Sequence, residues 1–207
     1  MGRLRTLLIY LSTFIFSFLT LSSADDSAAM AKLLASFDTA PSGWSATTDC
    51  CKWKNVNCDG SNRVTSINLA SQSLTGILPS DLGTLTQLTT LSLQGNSLSG
   101  PLPSLANLTS LQKLYLDSNN FSSIPSGFFQ GLTRLQTLTL SKNHNLTPWT
   151  IPTELTQASS LVNFYASSAN IIGSLPDFFG YFPILKDLRL SFNNLNGTYQ
   201  NPSESHR

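Results

Sequence analysis

The sequence predicts an α/β repeat solenoid: a curved, right-handed superhelix with a parallel β-sheet on its concave side and a helical, disulfide-bridged cap over its amino-terminal end. Three observations predict it. The first is self-similarity: residues 88–103, LTTLSLQGNSLSGPLP, recur as VTSINLASQSLTGILP from Val64, LQKLYLDSNNFSSIP from Leu111, LQTLTLSKNHNLTPWTIP from Leu135, LVNFYASSANIIGSLP from Leu161 and LKDLRLSFNNLNG from Leu185. Their first positions lie 24, 23, 24, 26 and 24 residues apart, the mark of stacked coils. The second is a cysteine-bearing stretch, DCCKWKNVNC, just ahead of the first repeat. The third is an apolar amino-terminal run behind Arg3 and Arg5, which directs the chain to an oxidising compartment where a disulfide persists.

Residues 1–24 read as a secretory signal, with LLIYLSTFIFSFLTL as the apolar run and Ser22-Ser23-Ala24 as the cleavage site. A retained membrane anchor is the competing reading, but Ser12, Thr13, Ser17 and Thr20 interrupt a run shorter than the roughly 20 residues a span requires. Met1-Gly2 with Thr6 also fits a myristoylation pattern, which the secretory run behind it argues against.

Residues 25–62 form the cap. Asp25 or Asp26 is placed to N-cap a helix carrying Met30, Leu33, Leu34 and Phe37 on one face, and Pro41 and Gly43 are expected to stop it. Trp44 and Trp53 offer rings to cover the open core. Cys51 and Cys58, seven apart around Trp53 and Val56, suit a disulfide. Cys50 is the odd thiol, either buried beside the bridge, a competing partner for Cys58, or an intermolecular link. Three cysteines with no nearby histidine argue against zinc.

Residues 63–197 hold five full repeats and a partial sixth. The period and the L-x-x-L-x-L core are those of a leucine-rich repeat. Each L-x-x-L-x-L is a short strand with its leucines inward, Leu88, Leu91 and Leu93 in the second repeat. Asn96, Asn119, Asn143 and Asn193 follow the strands and are expected to hydrogen-bond backbone groups of adjacent coils. Gln72 and Ala169 replace them in repeats one and five, so the ladder should weaken there. Residues 198–207, TYQNPSESHR, read as a disordered polar tail, and with no motif capping Leu188, Leu190 and Leu195 the chain reads as a fragment.

Composition narrows function. Charged residues are 11% of the chain and the formal net charge is +1, which falls to −1 if Arg3 and Arg5 leave with the signal (10 basic against 11 acidic). A nucleic-acid partner does not fit. Sequons at Asn107, Asn120, Asn145 and Asn196 support an extracellular glycoprotein. The two histidines, His144 and His206, join no nucleophile motif, and no phosphate loop or kinase signature occurs; the reading is a non-enzyme with no cofactor, metal or catalytic residue. What remains is a surface. The x positions of the strands face solvent on the concave side, and Tyr115, Asp117, Lys142, Tyr165, Arg189 and Phe192 are the candidate ligand-binding residues there. Against this stands the strand propensity of tyrosine and threonine, which would place them there without a ligand.

W-S-x-x-x-x-C-C-K-W-x-x-V-x-C ahead of L-x-x-L-x-L-x-x-N-x-L-x-G-x-I-P repeats resembles the ectodomains of plant leucine-rich-repeat receptor kinases. The finer similarity is to the transmembrane-kinase subfamily, carried by LSGPLPSLANLTSLQKLYLDSNNFSSIPSGFFQGLTRLQ, the 26-residue repeat with Trp149 and Pro152, SSLVNFYASSANIIGSLPDFFG and LRLSFNNLNG. The resemblance covers residues 25–198. It implies a cell-surface receptor ectodomain, linked to auxin signalling, that meets a peptide, protein or co-receptor, with a membrane span and kinase that are missing here. A free secreted repeat protein, acting in defence or inhibiting an enzyme, is the alternative class; a truncated product without a function of its own is the third.

Overall fold

A computed structural model describes residues 26–197; the predicted signal peptide, Asp25 and the predicted tail lie outside the described residues. Strands β1 (Val56–Cys58), β2 (Val64–Asn68), β4 (Thr90–Ser92), β6 (Lys113–Tyr115), β8 (Thr137–Thr139), β9 (Asn163–Tyr165) and β11 (Asp187–Arg189) form one seven-stranded sheet in that order. All neighbours are parallel except β1, which pairs antiparallel with β2. This is the concave sheet, built by one strand per repeat. The back of the coils carries a second sheet, β3 (Thr75–Ile77), β5 (Ser97–Pro101) and β7 (Asn120–Ser123), and a separate pair, β10 (Ile172–Ser174) with β12 (Asn194–Asn196).

The leucine period accounts for the core. Leu88, Leu91 and Leu93 are at most 1% exposed, as are their counterparts Leu111, Leu114 and Leu116. Burying such a side chain contributes roughly 1.5–3 kcal/mol, but only because the next coil covers it. Phe121, Phe128, Phe129 and Phe164 fill the wider layers and are equally buried. In repeat six Leu185, Leu188, Leu190 and Leu195 are only half-buried.

Asparagine makes the polar half of the repeat. The Asn96 amide donates to the carbonyls of Leu69 and Leu93 at 2.8 Å each, while its oxygen accepts from the Gln72 and Leu74 N–H groups at 3.0 Å. Asn193 repeats this on Ala166, Leu190, Ala169 and Ile171. Thus the two repeats that lack their own asparagine are stitched by the one that follows. Their chains take an additional left-handed residue, Ser73 (φ 54°) and Asn170 (φ 56°), directly after Gln72 and Ala169, and the Asn170 amide donates back to Leu146 O at 2.8 Å. The expected weak rungs are bridged by their neighbours.

The cap departs from expectation in two places. Helix α1 (Ser27–Ala35) buries Ala29, Met30 and Leu33, with Leu34 half-buried and Phe37 buried just beyond its end. Asp26 sits at the N-cap, yet its side chain caps nothing. Its carboxylate instead accepts from the Val64 N–H at 2.7 Å and pairs with Arg63 at 2.9 Å. The guanidinium of a partner 37 residues away, in a pocket where Asp26 is 3% exposed, outcompetes a local amide. The helix also ends before Pro41 and Gly43 act, because Ser36 closes it through its N–H and hydroxyl onto Leu33 O. The chain then turns onto repeat one, where Phe37 bridges Gly76. A Cβ at Gly76 (φ +127°) would lie 2.1 Å from Ser36 O, so only glycine admits that approach.

Trp44 and Trp53 pack with ring centroids 4.6 Å apart and are 6% and 4% exposed, covering the open end of the core. Their N–H groups donate to Lys54 O and to Ser45 O, both at 3.0 Å. Cys51 and Cys58 are bridged across a Cα separation of 5.6 Å, and Cys50 is buried outside the bridge. The loop is short, so the chain-entropy gain is about 2–3 kcal/mol. Cys58→Ala is expected to lower the thermal unfolding midpoint by roughly 5 °C or more, read by calorimetry; an unchanged midpoint would refute the cap's dependence on the bridge.

Candidate concave recognition face

Parallel in-register pairing turns the repeat into columns. Asn68, Ser92, Tyr115, Thr139, Tyr165 and Arg189 stand in one row across six strands. Ser66, Thr90, Lys113, Thr137, Asn163 and Asp187 make the row beside it. Repeats one and two thus present small polar groups, and the large side chains begin at repeat three.

The structure brings Tyr165 and Arg189 together through Asp187. The Tyr165 hydroxyl donates to Asp187 Oδ2 at 2.9 Å, and Arg189 donates to the same carboxylate from Nη2 at 2.7 Å and from Nε at 3.1 Å. The Arg189 guanidinium carbon lies 4.5 Å from the Tyr165 ring centroid, within cation–π range. Arg189, and then the Tyr165 hydroxyl, hold the Asp187 carboxyl below the usual carboxylate range, and Asp187 in turn raises both the Tyr165 phenol and Arg189. Because the Asp187 value is depressed, the pairing is present above the ordinary carboxylate range and is lost as pH falls through the lowered value.

Asp117 and Lys142 are placed differently. Asp117 is tied into the sheet: it accepts from the Thr139 hydroxyl and, at 2.9 Å, from the Ser141 N–H. Lys142 and Phe192 occupy the position just before the ladder asparagine, which is left-handed in every repeat (Ser71, Gly95, Ser118, Lys142, Ser168 and Phe192, φ 53–72°). Small residues fill it elsewhere. Phe192 holds φ +58° with 88% of its surface exposed, a costly conformation for a bulky side chain with no packing to offset it. Tyr115 is half-buried two strands from Tyr165, so the six candidates form a broad face rather than one pocket.

Asp187 completes the cluster and was not among the sequence candidates. Its signal is Asp-x-Arg, which puts both side chains on one strand face, with tyrosine one coil earlier in register. Among the described residues the one group of three metal-type donors is Asp49, Cys50 and Cys51, and the Cys51 sulfur is committed to the disulfide. No helix among the described residues is long and apolar enough to cross a membrane. Asn107, Asn120, Asn145 and Asn196 are exposed, and none lies on a strand of the concave sheet.

Comparison with known proteins gives the frame. Residues 23–59 match the leucine rich repeat N-terminal domain family, and residues 87–108 and 109–171 match leucine rich repeat families. The receptor-like kinase TMK4 of Arabidopsis thaliana is 49% identical over 154 residues, covering 74% of this chain and 16% of that protein. The chain therefore spans about a sixth of the length of that curated relative. The solved structure of a pollen receptor kinase 3 is 31% identical with a TM-score of 0.70, covering 81% of this chain and 83% of that one. PEPR1, solved with AtPEP1, is 30% identical with a TM-score of 0.75, covering 82% of this chain and 25% of that one.

Proposed function

We propose a recognition role from one premise: this chain belongs to the leucine-rich-repeat ectodomain family of plant receptor-like kinases. On this reading it binds a peptide, a small protein or a co-receptor on the concave sheet of repeats three to six, at the extracellular face of the plasma membrane. The observation that carries it is the assembled Tyr165–Asp187–Arg189 cluster on a face whose strand leucines are all turned inward. Tyrosine and arginine are the side chains that most often anchor an interface, and here they are held in place before any partner arrives.

The sequons add support. Glycans on Asn107, Asn120, Asn145 and Asn196 would clothe the sides and back of the coils and leave the concave sheet bare. The chain matches the repeat-bearing part of receptor kinases, and its 207 residues contain no kinase signature. Membrane attachment and phosphoryl transfer would belong to other parts of a whole receptor. The auxin link implied by the resemblance has no counterpart in the geometry and forms no part of this reading.

The test compares three proteins immobilised through a carboxyl-terminal tag and exposed to an extracellular peptide fraction from plant tissue: wild type, the triple variant Tyr165→Ala, Arg189→Ala and Phe192→Ala, and an Asn145→Gln control. Peptides retained by wild type and control are expected to lose roughly thirtyfold or more in affinity for the triple variant. Equal retention by all three, with unfolding midpoints unchanged, would sink the concave-face assignment.

A further inference from the structure

The longer spacing of 26 residues at repeat four opens a second feature, away from the concave sheet. Repeat four contributes no named strand to the back of the coils between β7 and β10; there the back sheet narrows to an isolated parallel bridge between Trp149 and Ile171. Thr147 N–H reaches Ser122 O at 2.7 Å, and the Trp149 carbonyl receives the Ile172 N–H at 2.9 Å. Beyond these contacts the coils part around a cavity of about 350 Å³ lined by Ile124, Pro125, Phe129, Trp149, Pro152 and Ile172, with Glu154 as its single carboxylate. That volume lies at the small end of ordinary ligand pockets.

We propose that this cavity binds a basic side chain, arginine or lysine, presented by an extended segment of a protein partner. The indole of Trp149 is immobilised for the purpose: one side stacks on Phe129 at 6.2 Å and 24°, and its N–H donates to Ala169 O at 2.8 Å. Tryptophan is the best aromatic platform for a cation. Glu154 makes no hydrogen bond or ion pair with any described residue, and no lysine or arginine lines the cavity. The prolines and isoleucines suit the methylene stem of a long basic side chain, whose charged end then meets indole and carboxylate together. A sugar ring would also stack on tryptophan, but it has no use for an unpaired carboxylate charge. None of the lining residues lies on a strand of the concave sheet, so this inference stands or falls apart from the recognition role above.

The test follows the indole N–H resonance of Trp149 in the ¹⁵N-labelled full chain. Trp44 and Trp53, buried in the cap, serve as internal references. The probes are acetyl-Pro-Arg-Pro-amide, acetyl-Pro-Gln-Pro-amide and chitotetraose. The arginine peptide is expected to shift the Trp149 signal saturably, about tenfold more tightly than the glutamine peptide. Glu154→Gln, an exchange at the cavity rim, is expected to bring the two peptides level. Equal affinities in wild type, an undiminished arginine preference in Glu154→Gln, a shift caused by chitotetraose alone, or no saturable shift up to about 10 mM would each overturn the proposal.

Discussion

Asn119→Ala is expected to lower the unfolding free energy by about 3–5 kcal/mol. Its amide donates to the carbonyls of Leu93 at 3.0 Å and of Leu116 and Asp117 at 3.2 Å, and its oxygen accepts from the Leu98 N–H at 3.1 Å. The side chain is 3% exposed, so water cannot replace it. Alanine would leave the Leu98 N–H without its acceptor, at about 1–3 kcal/mol. It would also take one donor each from the Leu93, Leu116 and Asp117 carbonyls, which keep those of Asn96, Asn143 and Gly95, at about 0.5–1.5 kcal/mol per lost bond. Urea unfolding followed by circular dichroism measures the loss. The exposed Gln130→Ala serves as control and should stay within about 0.5 kcal/mol. A loss below about 1 kcal/mol for Asn119→Ala would show that the ladder is decoration.

Asp26→Ala should cost about 3 kcal/mol, at the low end for breaking a buried pair because the Arg63 side chain keeps 15% of its surface in water. The alanine leaves the guanidinium with the Thr86 hydroxyl at 3.2 Å, and the Val64 N–H without its acceptor. Asp26 is the polar clasp between helix α1 and the first coil, so the damage should be local. Limited proteolysis is expected to cut first between residues 36 and 50 while repeats three to five resist. Cleavage distributed evenly along the chain would contradict that picture.

Much of this was legible in the letters. A spacing of 23–26 residues fits coils of nearly equal length, so the sheet, the inward leucines and the asparagine ladder follow from the period. The bridge between Cys51 and Cys58 follows from short spacing in a chain whose amino-terminal run reads as a secretory signal. The misses share a cause. Asp26 reads as a helix cap because local sequence cannot show that Arg63 arrives beside it from 37 positions away. Asp187 looks like one more solvated acid until the register of β11 on β9 sets it against Tyr165. Pro41 marks a helix stop by rule, yet Ser36 closes the helix earlier on Leu33 O, where the chain meets Gly76 of the first coil. In each case the deciding partner is supplied by stacking, which a linear pattern does not encode.

The narrowed back sheet also bears on mechanics. A beam with two full flanges resists bending in both senses; where one flange is thinned, compliance collects at the thin section. Here the concave flange runs through all six repeats, while between β7 and β10 the back flange narrows to the Thr147–Ser122 hydrogen bond and the Trp149–Ile171 bridge. Asn143 beside this thin section keeps a buried side-chain oxygen without a donor among the described residues, one fewer tie across that joint. Repeat four is therefore the compliant joint of the solenoid, and a load on the concave side of repeats three to six would change its curvature there before it strained any other coil.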